Sequence, residues 1–134
     1  MKIKVNEASG IALDWMVAKC WYSDRRIELT EGKTGVRVLR NPEYDGSEHS
    51  HWFVFFGSTY WEQGGTIIER EEICTKRQAP ASVGYEWNAW IWTKHIAKGG
   101  SSAGGSGPTP LIAAMRAYVA SKLGDEVEVP DELD

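Results

Sequence analysis

A chain of 134 residues with 42% apolar content is long enough to bury one core without disulfides or metals, and too short for two ordinary domains. A formal net charge of −4 and the lack of any apolar run of membrane-spanning length argue against a membrane segment and against a nucleic-acid partner, whose phosphates call for a basic stripe. MKIKVNEASG lacks the apolar core of a signal peptide, so a soluble cytoplasmic setting is expected, in which Cys20 and Cys74, without C-x-x-C spacing, read as reduced, buried thiols.

Residues 2–5 are extended at best. Ser9 then stands where a helix over 10–21 would be capped, and Ile11, Ala12, Trp15, Met16, Ala18 and Cys20 leave that helix little polar surface. Asp14 and Lys19, its only charges, read as a solvent-facing ridge, or else Lys19 points into a pocket. RRIELT (25–30) and GVRVLR (35–40) flank a turn at 31–34 in a β-hairpin pattern, with Ile27 and Leu29 sharing a face with Val36 and Val38. The opposite face carries Arg26, Glu28 and Arg37. WFVFF (52–56) is too short for a helix and reads as a central strand.

Between 57 and 73, Gly64-Gly65 breaks the chain, and Ile67, Ile68 and Ile73 suit a single helical turn or an edge segment. Residues 84–96 form the last expected strand. There Tyr85, Trp87, Ala89 and Ile91 alternate with Glu86, Asn88, Trp90 and Trp92, so the strand is either covered on both faces or displays indoles. A glycine and serine run then reads as a loop up to Pro108. Thr109 as N-cap and Pro110 at the first helical position open a closing helix whose apolar stripe is Leu111, Ile112, Met115, Tyr118, Val119 and Leu123, with Gly124 ending it. Its Ala113, Ala114, Ala117 and Ala120 would let a second element or a second subunit approach closely, which suits a homodimer.

The sum is an α+β fold: a small antiparallel sheet of about four strands with an N-terminal and a C-terminal helix packed on it, in the order α-β-β-β-β-α. Residues 1–123 form the single domain and 124–134 an acidic tail. That tail holds six acids and no base, which leaves 13 of the 19 acids to face all 15 bases. Val127, Val129 and Leu133 alternate with its acids, so part of it suits an edge strand.

Chemistry-bearing groups are sparse. KGGSSAGGSG running into a helix start offers backbone N–H groups and a positive dipole end to an anion, although the spacing matches neither a P-loop nor a dinucleotide fingerprint, and a flexible surface loop is the plainer reading. Ser58, Thr59, Trp61, Gln63 and Arg70 join hydroxyls, an amide, a cation and an indole, a set suited to stacking a planar group and pairing its edges. Adding Trp90, Trp92, Thr109 and Arg116 gives an aromatic and cationic cleft for a small anionic or nucleotide-like ligand. A module that docks on a host protein through an exposed aromatic patch is the competing reading. Glu48, His49 and His51 lack further ligands, and no metal site is expected. Glu69, Glu71 and Glu72 form no acid and base pair and no Ser or Cys sits in a nucleophile motif, so neither catalysis nor a cofactor is expected.

Three stretches, ALDWMVAK (12–19), STYWEQGGTIIEREEI (58–73) and GPTPLIAAMRAYVASKLGDEVEVPDEL (107–133), resemble the NinX-like family of tailed phages, small products of the nin region of lambdoid phages whose activity is not established. The segment 41–56 is longer than that family leads one to expect, and the Gly/Ser run before Pro108 is peculiar to this chain. The family is similar to a broader set of phage proteins with a small α/β sandwich. The resemblance implies an accessory protein of a phage or prophage at work in the host bacterial cytoplasm.

Overall fold

A computed structural model describes residues 1–40, 51–77, 87–92 and 102–133. Its centre is the closing helix, here α3 (Pro110–Leu123), and its start is fixed as the sequence predicts. Thr109 Oγ1 accepts the Ile112 N–H at 3.1 Å, Pro110 fills the first turn, and Gly124 ends the helix with φ +87°. Leu111, Ala113, Ala114, Met115, Ala117, Tyr118 and Val119 are all buried, so α3 is covered on most of its circumference and not along a single stripe.

The other elements are laid around it. They are β1 (Lys2–Lys4), α1 (Gly10–Trp21), β2 (Ile27–Leu29), β3 (Val36–Leu39), β4 (Trp52–Phe55), α2 (Trp61–Arg70), β5 (Cys74–Arg77), β6 (Trp87–Trp92), β7 (Ser102–Gly107) and β8 (Glu126–Glu128). The α+β class holds, but the single four-stranded sheet does not. Among the described residues the strands form three small antiparallel sheets, β1-β8, β2-β3-β4 and β5-β6-β7, with three α-helices where two were expected. The expected hairpin is β2 and β3, with Ile27 opposite Val38 and Leu29 opposite Val36, and WFVF (52–55) adds on as β4, an edge rather than a central strand. In the acidic tail β8 pairs with β1 in the register Ile3 to Val127, and Val127 and Val129 are buried.

The largest departure is the glycine and serine run, of which residues 102–107 are not a loop but the edge strand β7. A strand of SAGGSG has no apolar side chain beyond one methyl, and helix packing accounts for it. Gly105 and Gly107 lie against Ala113 and Arg116, so close that a Cβ on Gly105 would fall 2.6 Å from the Ala113 carbonyl oxygen and 2.6 Å from the Ala117 nitrogen. The alanine face of α3 does meet a second element closely, and that element is this strand.

A second departure is α2, a ten-residue helix that runs straight through Gly64 and Gly65. Gly64 is needed because any side chain would fall 2.5 Å from Leu111 Cδ1 and nearer still to the Gly57 carbonyl oxygen. Two residues also sit differently from expectation. Asp14 is buried rather than on a solvent ridge, while Lys19 is exposed. Cys20 is half-buried, but Cys74 is exposed, because β5 is an edge strand exposed along its whole length.

Candidate functional site

The turn that leaves β4 is braced by several hydrogen bonds. Thr59 and Tyr60 N–H groups both donate to the Phe56 carbonyl, at 3.0 and 2.8 Å, and the Ser58 N–H donates to Asp14 Oδ1 at 2.8 Å. Burial raises the Asp14 carboxyl pKa, with the Ser58 N–H pulling it partly back. Asp14 on α1 therefore holds from below the turn that launches α2.

Four of the predicted site residues meet here. Ser58, Thr59, Trp61 and Thr109, with Leu111 and Ile112, line a hollow of about 170 Å³ where α2 and α3 both begin. Ser58 is 1% exposed and Trp61 57%. The remaining predicted residues lie elsewhere. Gln63 uses both ends of its amide on the edge of β4: Oε1 accepts the Phe56 N–H at 2.6 Å and Nε2 donates to the Val54 carbonyl at 3.0 Å. Arg70, at the far end of α2, lies over the Trp21 ring, 5.0 Å from its centre. Trp90 lies opposite Cys74 and Gly104 on the face of β6 turned away from α3, half-buried, and Trp92 is described only as a strand position paired with Ser102.

Arg116 is 4% exposed. Its Nε donates to the Ala8 carbonyl at 2.9 Å and its Nη1 to the Ser106 carbonyl at 2.5 Å, tying the chain ahead of α1 to β7 beneath the surface. Around the hollow, then, are hydroxyls, apolar side chains and two helix starts, with no cationic side chain among its described lining residues. Glu48 and His49 of the weak metal reading lie outside the described residues, and among the described residues no group of three metal-ligating side chains occurs. The described helices are also all too short or too polar to cross a membrane.

What sequence reasoning missed is the surface above the hollow. Val54, Phe56, Tyr60 and Trp61 are large apolar residues exposed by 39, 39, 54 and 57%. Val54, Phe56 and Tyr60 are neighbours in space, and Trp61 is next to Tyr60 in the chain: the Phe56 and Tyr60 rings lie 6.2 Å apart, and Val54 and Phe56 both flank Gly35. The signal was present in WFVFF followed four residues later by YW, but a strand assigned to the sheet centre hid its outward side chains.

The model of the family described as Bacteriophage P22, NinX matches residues 4–122, from β1 almost to the end of α3. No curated protein matches the chain.

Proposed function

The chain belongs to the Bacteriophage P22 NinX family, and from that premise we propose that it is a phage accessory protein that works without catalysis in the host cytoplasm, by docking an aromatic face onto a host protein. The observation that carries this reading is the exposed cluster Val54, Phe56, Tyr60 and Trp61. Aromatic side chains left in water in one contiguous group are a feature of contact surfaces, and Trp and Tyr supply a disproportionate share of interface energy. The backbone below them is held by the Gln63 amide and the Asp14 to Ser58 link, so the face meets a partner already ordered.

Capture from bacterial lysate tests it, with the wild-type chain compared against Trp61→Ala and Tyr60→Ser. A host protein recovered in stoichiometric amount by the wild type and at least about tenfold less by either variant supports the face, since a truncated interface hot spot costs about 2 kcal/mol or more. Equal recovery by variants of unchanged circular dichroism sinks it. Sedimentation of the purified chain separates the self-association alternative, in which the same variants would dissolve a homodimer.

The hollow favours a second reading, a small anionic ligand. Two helix starts converge on it, and N–H groups and dipole ends there favour negative charge. At about 170 Å³ it is smaller than the roughly 300–1,000 Å³ of pockets that hold drug-sized ligands, so it suits a lone carboxylate or phosphate and not a nucleotide. Titration with inorganic phosphate, followed at the Thr59, Trp61 and Leu111 amide signals, decides: saturable shifts confined to those signals support it and their absence removes it.

A further inference from the structure

A larger cleft lies at the opposite end of the helices, where α1, α2 and α3 finish, and it has a different lining. Its volume is about 590 Å³, within the range of small-molecule sites, and its walls include Trp21, Tyr22, Arg25, Arg70, Tyr118 and Lys122. Two of the three cations among its described lining residues sit over rings: the Arg70 guanidinium lies 5.0 Å from the Trp21 ring centre and that of Arg25 5.6 Å from Tyr22. A guanidinium anchored over a ring keeps the planar set of N–H donors that pairs with phosphate oxygens as a fork. Arg25 is fixed further by Nη1 donating to the Arg40 carbonyl at 2.6 Å.

The opposing charges are few. Asp24 and Glu71 line the same cleft, and the three helix ends turn their negative dipole ends toward it. Lys19, Arg70 and Lys122 stand in those last turns and compensate the dipoles. Glu71 meets Lys122 only at 3.8 Å, with the lysine side chain 46% exposed, a loose contact that an entering phosphate can displace at small cost. The cleft also holds Cys20, whose thiol burial pushes up to about 12, so no thiolate stands ready for covalent chemistry at neutral pH.

We infer that this cleft is a reversible binding site for a small phosphorylated molecule of nucleotide size, with Arg25, Arg70 and Lys122 on the phosphate oxygens and the Trp21–Tyr22 wall beside the rest of the ligand. It is separate from the aromatic face around Trp61 and stands or falls independently of it.

The probes are adenosine 5′-diphosphate, inorganic pyrophosphate and adenosine, titrated into the full chain by calorimetry and followed at the Trp21 indole N–H signal. The expected result is saturable binding of the two phosphorylated probes, weakened by added salt, and none of adenosine. Lys122→Gln and Arg25→Gln, checked for unchanged melting temperature, should each weaken binding about ten- to a hundredfold, the loss of one charge-assisted hydrogen bond. Trp61→Ala should leave it unchanged. Lys122→Gln, on an exposed side chain, keeps the test decisive if Arg25→Gln misfolds. Absence of saturable binding of both phosphorylated probes up to about 10 mM, a millimolar affinity being worth only about 4 kcal/mol, overturns the site. So does equal binding of adenosine, or phosphate binding that Lys122→Gln leaves intact.

Discussion

Gly105→Ala adds one methyl group at the contact between β7 and α3, and the structure says what it meets. The new Cβ would lie 2.6 Å from the Ala113 carbonyl oxygen, 2.6 Å from the Ala117 nitrogen and 2.8 Å from Arg116 Cβ. Two of these atoms are helix backbone, which cannot rotate out of the way, so the strand and helix must part by several tenths of an ångström and loosen the most extensive contact of the fold. Overpacking of this kind costs about 1–3 kcal/mol, while replacing glycine by alanine returns about 0.4–1 kcal/mol through the unfolded chain. The net expectation is a loss of up to roughly 2.5 kcal/mol, or up to about 9 °C in melting temperature for a chain of this size. Gly104→Ala supplies the control: its Cβ would point to the other face of the strand and meet only the Ala89 carbonyl, at an ordinary 3.5 Å, so its melting temperature should match or slightly exceed that of the wild type. Thermal unfolding followed by circular dichroism checks both. If Gly105→Ala melts with Gly104→Ala, the close approach of strand and helix is not what places glycine there.

Gln63→Ala should cost about 1–3 kcal/mol for two lost hydrogen bonds and, by baring the Val54 carbonyl and Phe56 N–H on an edge strand, should raise self-association measured by sedimentation. Asp14→Asn keeps an oxygen for the Ser58 N–H and removes the ionisation. Because burial raises the folded-state pKa of Asp14, the folded chain holds this proton to higher pH than the unfolded chain, and stability from this group declines as pH rises above the ordinary carboxylate value through the raised one. The variant's advantage over wild type in urea unfolding should therefore be larger at pH 7 than at pH 3.5, and a difference that does not change with pH would refute the assignment. Ending the chain after Gly124 removes β8 and the buried Val127 and Val129, and should lower unfolding free energy by roughly 2–4 kcal/mol, read from denaturant midpoints; an unchanged midpoint would mean that the tail contributes nothing to the core.

Helix α3 was legible because it carries its own boundary chemistry and a long apolar pattern, α1 because of its apolar pattern although Ser9 makes no side-chain cap bond, and the β2-β3 hairpin because its alternation fits one face. The elements that escaped are those whose reason lies in a neighbour. Nothing local marks SAGGSG as a strand; it becomes one because α3 presents alanines to it and β6 supplies the ladder. Gly64 looks like a breaker until Gly57 and Leu111 are seen pressed against it, and CTKR is too polar to announce an edge strand. The candidate site divides in the same way. Ser58, Thr59 and Trp61 are neighbours in sequence, and Thr109 joins them because α3 starts where α2 does. Arg70 and Arg116 share a cation's chemistry with the expected cleft but not its location, since position along a helix fixes where a side chain ends up and composition does not.

The bareness of β7 has a further consequence for how the chain finds its alignment. A ribbon with almost no side chains gives a pairing partner little to recognise, and such ribbons are prone to slide. Here sliding is barred by what would arrive under the helix. A shift of two residues brings Ala103 or Thr109 to a place now held by Gly105 or Gly107, and a shift of one brings Ser106 there. Asn6 locks the same alignment from outside, its amide exchanging two hydrogen bonds with Ser106. The blank positions thus act as a key by subtraction: only one setting of the strand puts an empty site beneath every point where α3 comes down.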